Sequence, residues 1–242
     1  ALATTSAGFA FDAGREDSVA IGFDATLGNA KDIIGATPLP VTVDLQSGYA
    51  ANLEGLADNV SRCVDAGASG LSIEDATGDP ARPLYALGEA VERIRVASDA
   101  IRSTGHDALL TGRAECFLVG EPNPLTAAIE RLVAYADAGA DCLYAPGLRT
   151  ADEVRAVVEA VAPKPVNVLV GGQSWMTTSA LEDIGVRRIS VGSALARVAW
   201  GAVVRAATQV ANEGVFDTLL EAEPYSRLNA LFADDGDADA SA

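Results

Sequence analysis

Asp65-Ala66-Gly67-Ala68-Ser69-Gly70-Leu71-Ser72-Ile73-Glu74 is the stretch whose reading decides the fold. A helical pattern stops at Gly67, a residue suited to a left-handed cap, and a short apolar run ending in an acid follows at once. The same junction recurs at Asp137-Ala138-Gly139-Ala140-Asp141-Cys142-Leu143-Tyr144. A third copy is Asp183-Ile184-Gly185-Val186-Arg187-Arg188-Ile189-Ser190-Val191. Apolar runs without polar alternation suit parallel strands covered on both faces. Working outward, strands are expected over residues 1–5, 41–44, 70–74, 108–111, 142–144, 166–170 and 188–191. Amphipathic helices are expected at roughly 52–66, 87–104, 124–138, 151–161 and 177–184.

Seven β/α units in strict alternation mean either an open doubly wound sheet or a closed (β/α)8 barrel. No GxGxxG or Walker sequence follows any strand, which weighs against the open sheet. Polar residues gather instead at strand C-termini: Thr5-Ser6, Asp44, Glu74-Asp75, Arg113 to Glu115, Asn167 and Ser190. Convergence of several strands on one rim is how a barrel builds an active site. The expectation is an α/β protein, a (β/α)8 TIM-type barrel lacking its first β/α unit, with further sequence upstream of Ala1. The barrel domain is expected over 1–219. The segment 220–242 ends in an acidic run, Asp234 to Asp239, that reads as a solvated tail.

The charge balance narrows the partners. Among 242 residues, 34 acids face 17 basic side chains, a formal net charge of −17 that would repel nucleic-acid backbones and anionic membranes. No apolar run approaches the roughly 18 residues of a membrane helix. Cys63, Cys116 and Cys142 form no CxxC pair, and no signal-peptide pattern opens the chain, so a reducing cytoplasmic compartment is expected. Cys63 falls in a helical pattern and reads as core.

At the rim, Asp44 follows a buried strand and precedes a glycine turn, a good position for holding a hard divalent cation. A loop cap or salt bridge is the competing reading. Glu74 and Asp75 are adjacent acids that repel unless a cation or an arginine lies between them. Mg²⁺ takes one or two carboxylates plus waters and substrate oxygens, a role open to Asp44 and Glu74. Arg113 offers a planar fork to an anionic substrate, or pairs with a rim acid. Asn167 can hydrogen-bond a carboxylate. His106, the single histidine, precedes a strand and so falls at the opposite end of the barrel, which excludes a Ser-His-Asp set or a Cys/His zinc cluster.

Taken in order, these motifs resemble the isocitrate lyase/phosphoenolpyruvate mutase superfamily. Thr4-Thr5-Ser6-Ala7-Gly8 resembles its substrate-binding loop, Asp44-Leu45-Gln46-Ser47-Gly48-Tyr49 its D-x-D-x-G-Y strand, Gly67 to Asp75 its E-D segment, and Gly112-Arg113-Ala114-Glu115 its A-R-T-D strand. The resemblance implies an Mg²⁺-dependent enzyme, with Mn²⁺ as the alternative metal, that stabilises an enolate-like anion of a small 2-oxo or 2-hydroxy carboxylate. It further implies Asp44 and Glu74 at the metal, Asp17 assisting, and Arg113, Glu74 and Asp17 as the catalytic set. Ser6, Ala7, Gly8, Gln46, Arg113 and Asn167 would contact substrate.

The departures from the family pattern matter equally. Gln46 replaces the second acid of D-x-D, removing one charge. The loop that carries K-K-C-G-H in the lyases reads Ala76-Thr77-Gly78-Asp79-Pro80-Ala81-Arg82-Pro83, with neither cysteine nor lysine. A lyase cleaving a C–C bond is the leading expectation. Phosphonopyruvate-type P–C chemistry and a catalytically silent dicarboxylate binder are the alternatives. The last helical stretch, 194–212, is apolar on more than one face. Either the chain's own tail covers it, or, as the resemblance implies, it is exchanged between subunits of a homodimer or homotetramer.

Overall fold

The computed structural model describes residues 1–17, 21–171 and 175–233; the acidic run Asp234 to Asp239 lies outside them. The chain divides into two compact units, Ala1–Leu195 and the residues from Ala196 onward. The first holds seven parallel strands paired in chain order: β1 (Leu2–Ala3), β2 (Val41–Asp44), β3 (Gly70–Glu74), β4 (Leu109–Arg113), β5 (Cys142–Tyr144), β6 (Val166–Leu169) and β7 (Arg188–Ser190). Strictly sequential parallel pairing requires a helical crossover at every step, always of one hand. The sheet curls into a nearly closed barrel, a TIM-type barrel of seven units. Its curl brings Arg188 on β7 within hydrogen-bonding distance of Thr111 on β4, with Nη1 donating to Oγ1 at 3.0 Å.

Crossovers are formed by α1 (Ser6–Asp12), α2 (Phe23–Gly35), α3 (Leu53–Asp65), α4 (Leu87–Thr104), α5 (Pro124–Asp137), α6 (Ala151–Val161) and α7 (Thr178–Asp183). Side-chain caps fix several starts: Asn52 accepts from the Gly55 amide at 2.8 Å, and Thr150 with Glu153 forms a reciprocal capping box. The junction glycines meet the expectation: Gly67, Gly139 and Gly185 all have positive φ. At Gly139 a Cβ would also lie 2.5 Å from Ser98 Oγ, so both conformation and space demand glycine.

The core lies between sheet and helices, not inside the barrel. Val41, Val43, Leu71, Ile73, Leu110, Leu143, Val166 and Val168 are buried and alternate with the residues that face the axis. Those inward residues include Thr42, Asp44, Ser72, Glu74, Thr111, Arg113, Cys142, Tyr144, Asn167, Arg188 and Ser190, with Gly70, Leu109 and Leu169 on the same face, so most are polar. The strands therefore alternate after all, which corrects the reading of them as runs apolar on both faces. Polar inward side chains were obscured because the strands are only three to five residues long beyond β1.

Two further corrections concern the start. The strand expected over residues 1–5 is only Leu2–Ala3, and Ser6 to Gly8, read there as part of a substrate-binding loop, form the first turn of α1, capped by Thr5. α2 had no counterpart in the periodicity.

The second unit contains most of α8 (Ala194–Glu213), a 3-10 turn over Asp217–Glu221 and α9 (Tyr225–Leu231). Within it the Thr218 amide donates to Gln209 Oε1 at 3.0 Å. None of the residues of α8 is buried, and Val198, Trp200, Val203 and Val204 are exposed. No described helix is long and apolar enough to cross a membrane.

Candidate active site

Register brings the rim residues together. Glu74 pairs with Arg113, Arg113 with Tyr144, Tyr144 with Asn167, and Asn167 with Arg188. Alternation along each strand then turns all five side chains to the same inner face.

Arg113 is the centre of the arrangement. Its Nη1 lies 3.2 Å from Glu74 Oε2 and 3.6 Å from Asp44 Oδ1, while its Nε donates to Glu115 Oε1. Its side chain is 18% exposed, and the three carboxylates are more buried still. One guanidinium thus faces three acids. Burial works against its charge, yet Glu74, Glu115 and Asp44 together hold its pKa above the ordinary value. The shortfall of positive charge is felt on the acids. Burial, with Glu115 and Asp44 nearby, outweighs Arg113 and pushes the Glu74 carboxyl up to about 8. Burial raises Glu115 as well.

Asp44 is fixed by backbone groups. Its Oδ2 accepts from the Ser6 amide at 3.0 Å, and its own amide donates to Thr4 Oγ1 at 2.9 Å. The Ser6 N–H, expected to face a substrate carboxylate, is thus directed at the side chain of Asp44. Ala7 and Gly8 follow it in the first turn of α1, where the Gly8 amide is directed at Thr5 Oγ1.

A small cleft, open to solvent, meets this group at Asp44 and is lined by Thr5, Ser6, Asp17, Asp44, Gln46 and Tyr49 among others. Asp17 is exposed at its edge, and its pKa is raised by partial burial and by Asp44. Gln46 and Tyr49 adopt left-handed φ of 47° and 53°, flanking Gly48 at 91°. That φ favours glycine, and any Cβ would have to displace the Leu56 Cδ1 methyl 2.1 Å away. Arg93, buried under the turn, holds it by donating to the Ser47 and Ala50 carbonyls.

Asp75 belongs to a different group from Glu74. It is 2% exposed, and its Oδ1 accepts from the Glu115 amide at 2.8 Å. Its Oδ2 accepts from Arg131 at 3.1 Å and from the Tyr135 hydroxyl at 2.6 Å, both on α5. The neighbouring acids therefore have one arginine each, on opposite sides of the strand end. The loop after β3 closes on itself: Ala76 bridges to Leu84, Thr77 donates to the Pro83 and Arg82 carbonyls, and Arg131 Nη2 holds the Tyr85 carbonyl at 3.0 Å.

Asn167 is buried at β6, with Nδ2 donating to Ser190 Oγ at 2.9 Å. Its buried Oδ1 has no partner among the described residues. His106 lies at the opposite end of the barrel, 3.9 Å from Asp65. The sequence reading missed Arg131, Tyr135, Tyr144 and Arg93, and gave Glu115 no role. Spacing could have indicated Glu115, two residues beyond Arg113 on the same rim.

Among the described residues, no three His, Cys, Asp or Glu side chains are arranged to hold a metal ion. Arg113 stands between the two acids that would do so. By chemistry alone, Asp44, Glu74 and Asp17 carry the carboxylate oxygens that a hard cation takes.

The phosphoenolpyruvate phosphomutase family model matches residues 1–211. A lyase or mutase structure from Burkholderia cenocepacia J2315, assigned only in those broad terms, superposes with a TM-score of 0.91 at 46% identity, covering 96% of this chain and 83% of that one. The 2-methylisocitrate lyase of Escherichia coli K12 is 31% identical over 222 residues, 85% of this chain and 72% of the lyase. An oxaloacetate acetylhydrolase bound to its product oxalate has a TM-score of 0.81 at 25% identity, over 95% of this chain and 80% of its own. A family model spanning this much of the barrel, with its acids and arginine on one rim, leaves a single conclusion: the chain belongs to the phosphoenolpyruvate mutase/isocitrate lyase superfamily.

Proposed function

We propose that the protein is an Mg²⁺-dependent carbon–carbon lyase acting on a small 2-oxo or 2-hydroxy carboxylate. The observation that carries this reading is the Arg113 cluster, three buried acids around one guanidinium beside an open cleft. Asp44 and Glu74 would hold the cation, with Asp17 assisting from the edge of the cleft; Mn²⁺, equally oxygen-seeking, is the alternative. When bound, the cation supplies electrostatic stabilisation of an enolate oxygen. Arg113 then exchanges part of its contact with Asp44 and Glu74 for a substrate carboxylate, keeping Glu115 at Nε as its anchor. A guanidinium already oriented by the fold needs little reorganisation as charge develops in the transition state. Gln46 and Ser6 line the cleft where the rest of the substrate would lie, with Ala7 and Gly8 following Ser6 in the first turn of α1. Asn167 offers a hydrogen bond from deeper in the barrel.

Two features of the relatives support the reading: the Escherichia coli protein is named for cleaving 2-methylisocitrate, and the acetylhydrolase holds oxalate. A homodimer or homotetramer of the cytoplasm remains part of the proposal, supported by the exposed apolar side chains of α8. The test is turnover with Mg²⁺ over oxaloacetate, 2-methylisocitrate and related acids, with phosphonopyruvate followed by phosphorus NMR. Cleavage of a carbon–carbon bond is expected. Release of phosphate alone would move the assignment to P–C chemistry, and ligand binding without turnover would make the protein a silent carboxylate binder.

A further inference from the structure

The cleft that meets the acid cluster at Asp44 is also walled by α2, a side that neither the cation nor Arg113 accounts for. Thr26 lines it from near the start of that helix. The residue is only 6% exposed, and its Oγ1 has no hydrogen-bond partner among the described residues. A helical threonine commonly turns its hydroxyl back to the carbonyl three or four residues earlier. Here the Gly22 carbonyl receives the Ala25 and Thr26 amides, each at 3.2 Å, and not the hydroxyl. Keeping a buried polar group without a partner is costly, so its presence in the wall of a cleft points to a ligand that completes it.

The neighbouring wall says which ligand. Asn29 lines the cleft three residues further along α2, on the same helix face, and Tyr49 enters from the turn after β2. The Tyr49 and Thr26 hydroxyls lie near each other but are not joined by a hydrogen bond. Phe9 and Ile21 supply apolar surface beside them. Among the described residues, the charged groups lining the cleft are Asp17 and Asp44, and no lysine, arginine or histidine does so. A second carboxylate of the substrate would therefore meet its own sign here, with no basic partner. An ammonium group has no acceptor to offer. A hydroxyl both gives and takes hydrogen bonds, as Thr26, Asn29 and Tyr49 all can.

We propose that the α2 side of the cleft is a subsite for an uncharged, hydroxyl-bearing substituent of the substrate, and that Thr26 selects it. The inference rests on the lyase reading above and narrows it: one carboxylate goes to Arg113, and a hydroxyl, not a second carboxylate, goes to Thr26. A methyl group in that place would leave the polar wall unpaired. A site built to bond a hydroxyl rejects such an analogue on that account.

Calorimetry with Mg²⁺ compares 3-hydroxypyruvate with 2-oxobutyrate, and 4-hydroxy-2-oxobutanoate with 2-oxopentanoate. Within each pair a hydroxyl replaces a methyl of nearly the same size. Oxalate, which has no substituent to place, is the control. At least one hydroxy acid is expected to bind about tenfold more tightly than its methyl counterpart, the worth of one good hydrogen bond. Thr26→Val should bring that ratio within about threefold of unity, while oxalate binding stays within about threefold of the parent. The variant should also melt at or above the parent's temperature, because the unpartnered hydroxyl is gone. The ratio on the parent needs no variant, and Thr26→Ser, which keeps the hydroxyl, should retain it. Ratios near unity in both pairs, or a preference that survives Thr26→Val, would overturn the assignment. Tighter binding of the cleavage-resistant 3,3-difluorooxaloacetate than of either hydroxy acid would overturn it too, in favour of a carboxylate subsite. Failure of the parent to bind oxalate would instead remove the lyase reading, and this subsite with it.

Discussion

The Tyr135 hydroxyl donates to Asp75 Oδ2 at 2.6 Å, which places Asp75 behind the barrel wall and away from Glu74, its neighbour in sequence. The same carboxylate receives Arg131 and the Glu115 amide, so a single buried acid ties β3, the segment after β4 and α5 together. Removing one partner of a buried ion pair typically costs about 3–5 kcal/mol, because the other charge stays buried without compensation. Asp75→Ala should therefore lower the melting temperature by about 6–20 °C for a domain of this size, measured by calorimetry. A change of about 2 °C or less would mean that Arg131 finds a new partner.

Arg113 is the sole guanidinium within salt-bridge distance of Asp44, Glu74 and Glu115 among the described residues. Arg113→Gln leaves those acids facing one another, so a loss of several kcal/mol is expected, on the order of the 3–5 seen when buried pairs are broken. Adding Glu74→Gln to that variant should restore part of the loss. Thermal melts of the two single variants and the double variant measure the coupling; strict additivity would contradict the shared-charge account.

Stability of the metal-free protein should depend on pH through Glu74. In the fold its carboxyl is held up to about 8 by burial, whereas in an unfolded chain it ionises near the ordinary glutamate value of 4.5. Between those values the folded state binds the extra proton, so this contribution is fully present below the lower pKa and is lost as pH rises through the upper one. In Glu74→Gln the contribution is absent at every pH. The melting temperature of the variant relative to the parent should rise between about pH 5 and pH 8, and a flat difference would count against the burial of an ionisable acid here.

Thiol chemistry should be silent in the native protein. Cys63 and Cys116 are fully buried, with burial pushing their thiols up to about 11 and about 12; burial raises Cys142 too. Thiolate is the reactive form, so a disulfide reagent at neutral pH should titrate none of the three until denaturant is added. A fast-reacting thiol in the folded state would reopen a nucleophilic role for cysteine.

The fold was legible wherever glycine-capped junctions marked the passage from helix to strand; β2 to β7 and α3 to α7 fall where periodicity placed them. α1 and α2 escaped for a local reason. α1 is only seven residues long, too short to show a helical period, and α2 includes Gly28, Asn29 and Gly35, which dilute its apolar stripe. Asp44, Glu74 and Arg113 could be read because each ends an inward-facing strand position. Asp75 could not, since its role depends on Arg131 and Tyr135, more than fifty residues away and set only by tertiary packing. The contact of the Ser6 amide with Asp44 was hidden for the same reason: it links residues 38 positions apart.

The central claim is that Asp44 and Glu74, from separate strands, jointly hold a divalent cation against which Arg113 presents an anionic ligand. Calorimetric titration of the protein with oxalate, with Mg²⁺ and then with excess chelator, tests it most directly. The account predicts oxalate binding that requires Mg²⁺ and is lost in Asp44→Asn and in Arg113→Gln, each variant shown by its melt to be folded. Oxalate binding of equal strength in chelator, or unchanged in both variants, would contradict it.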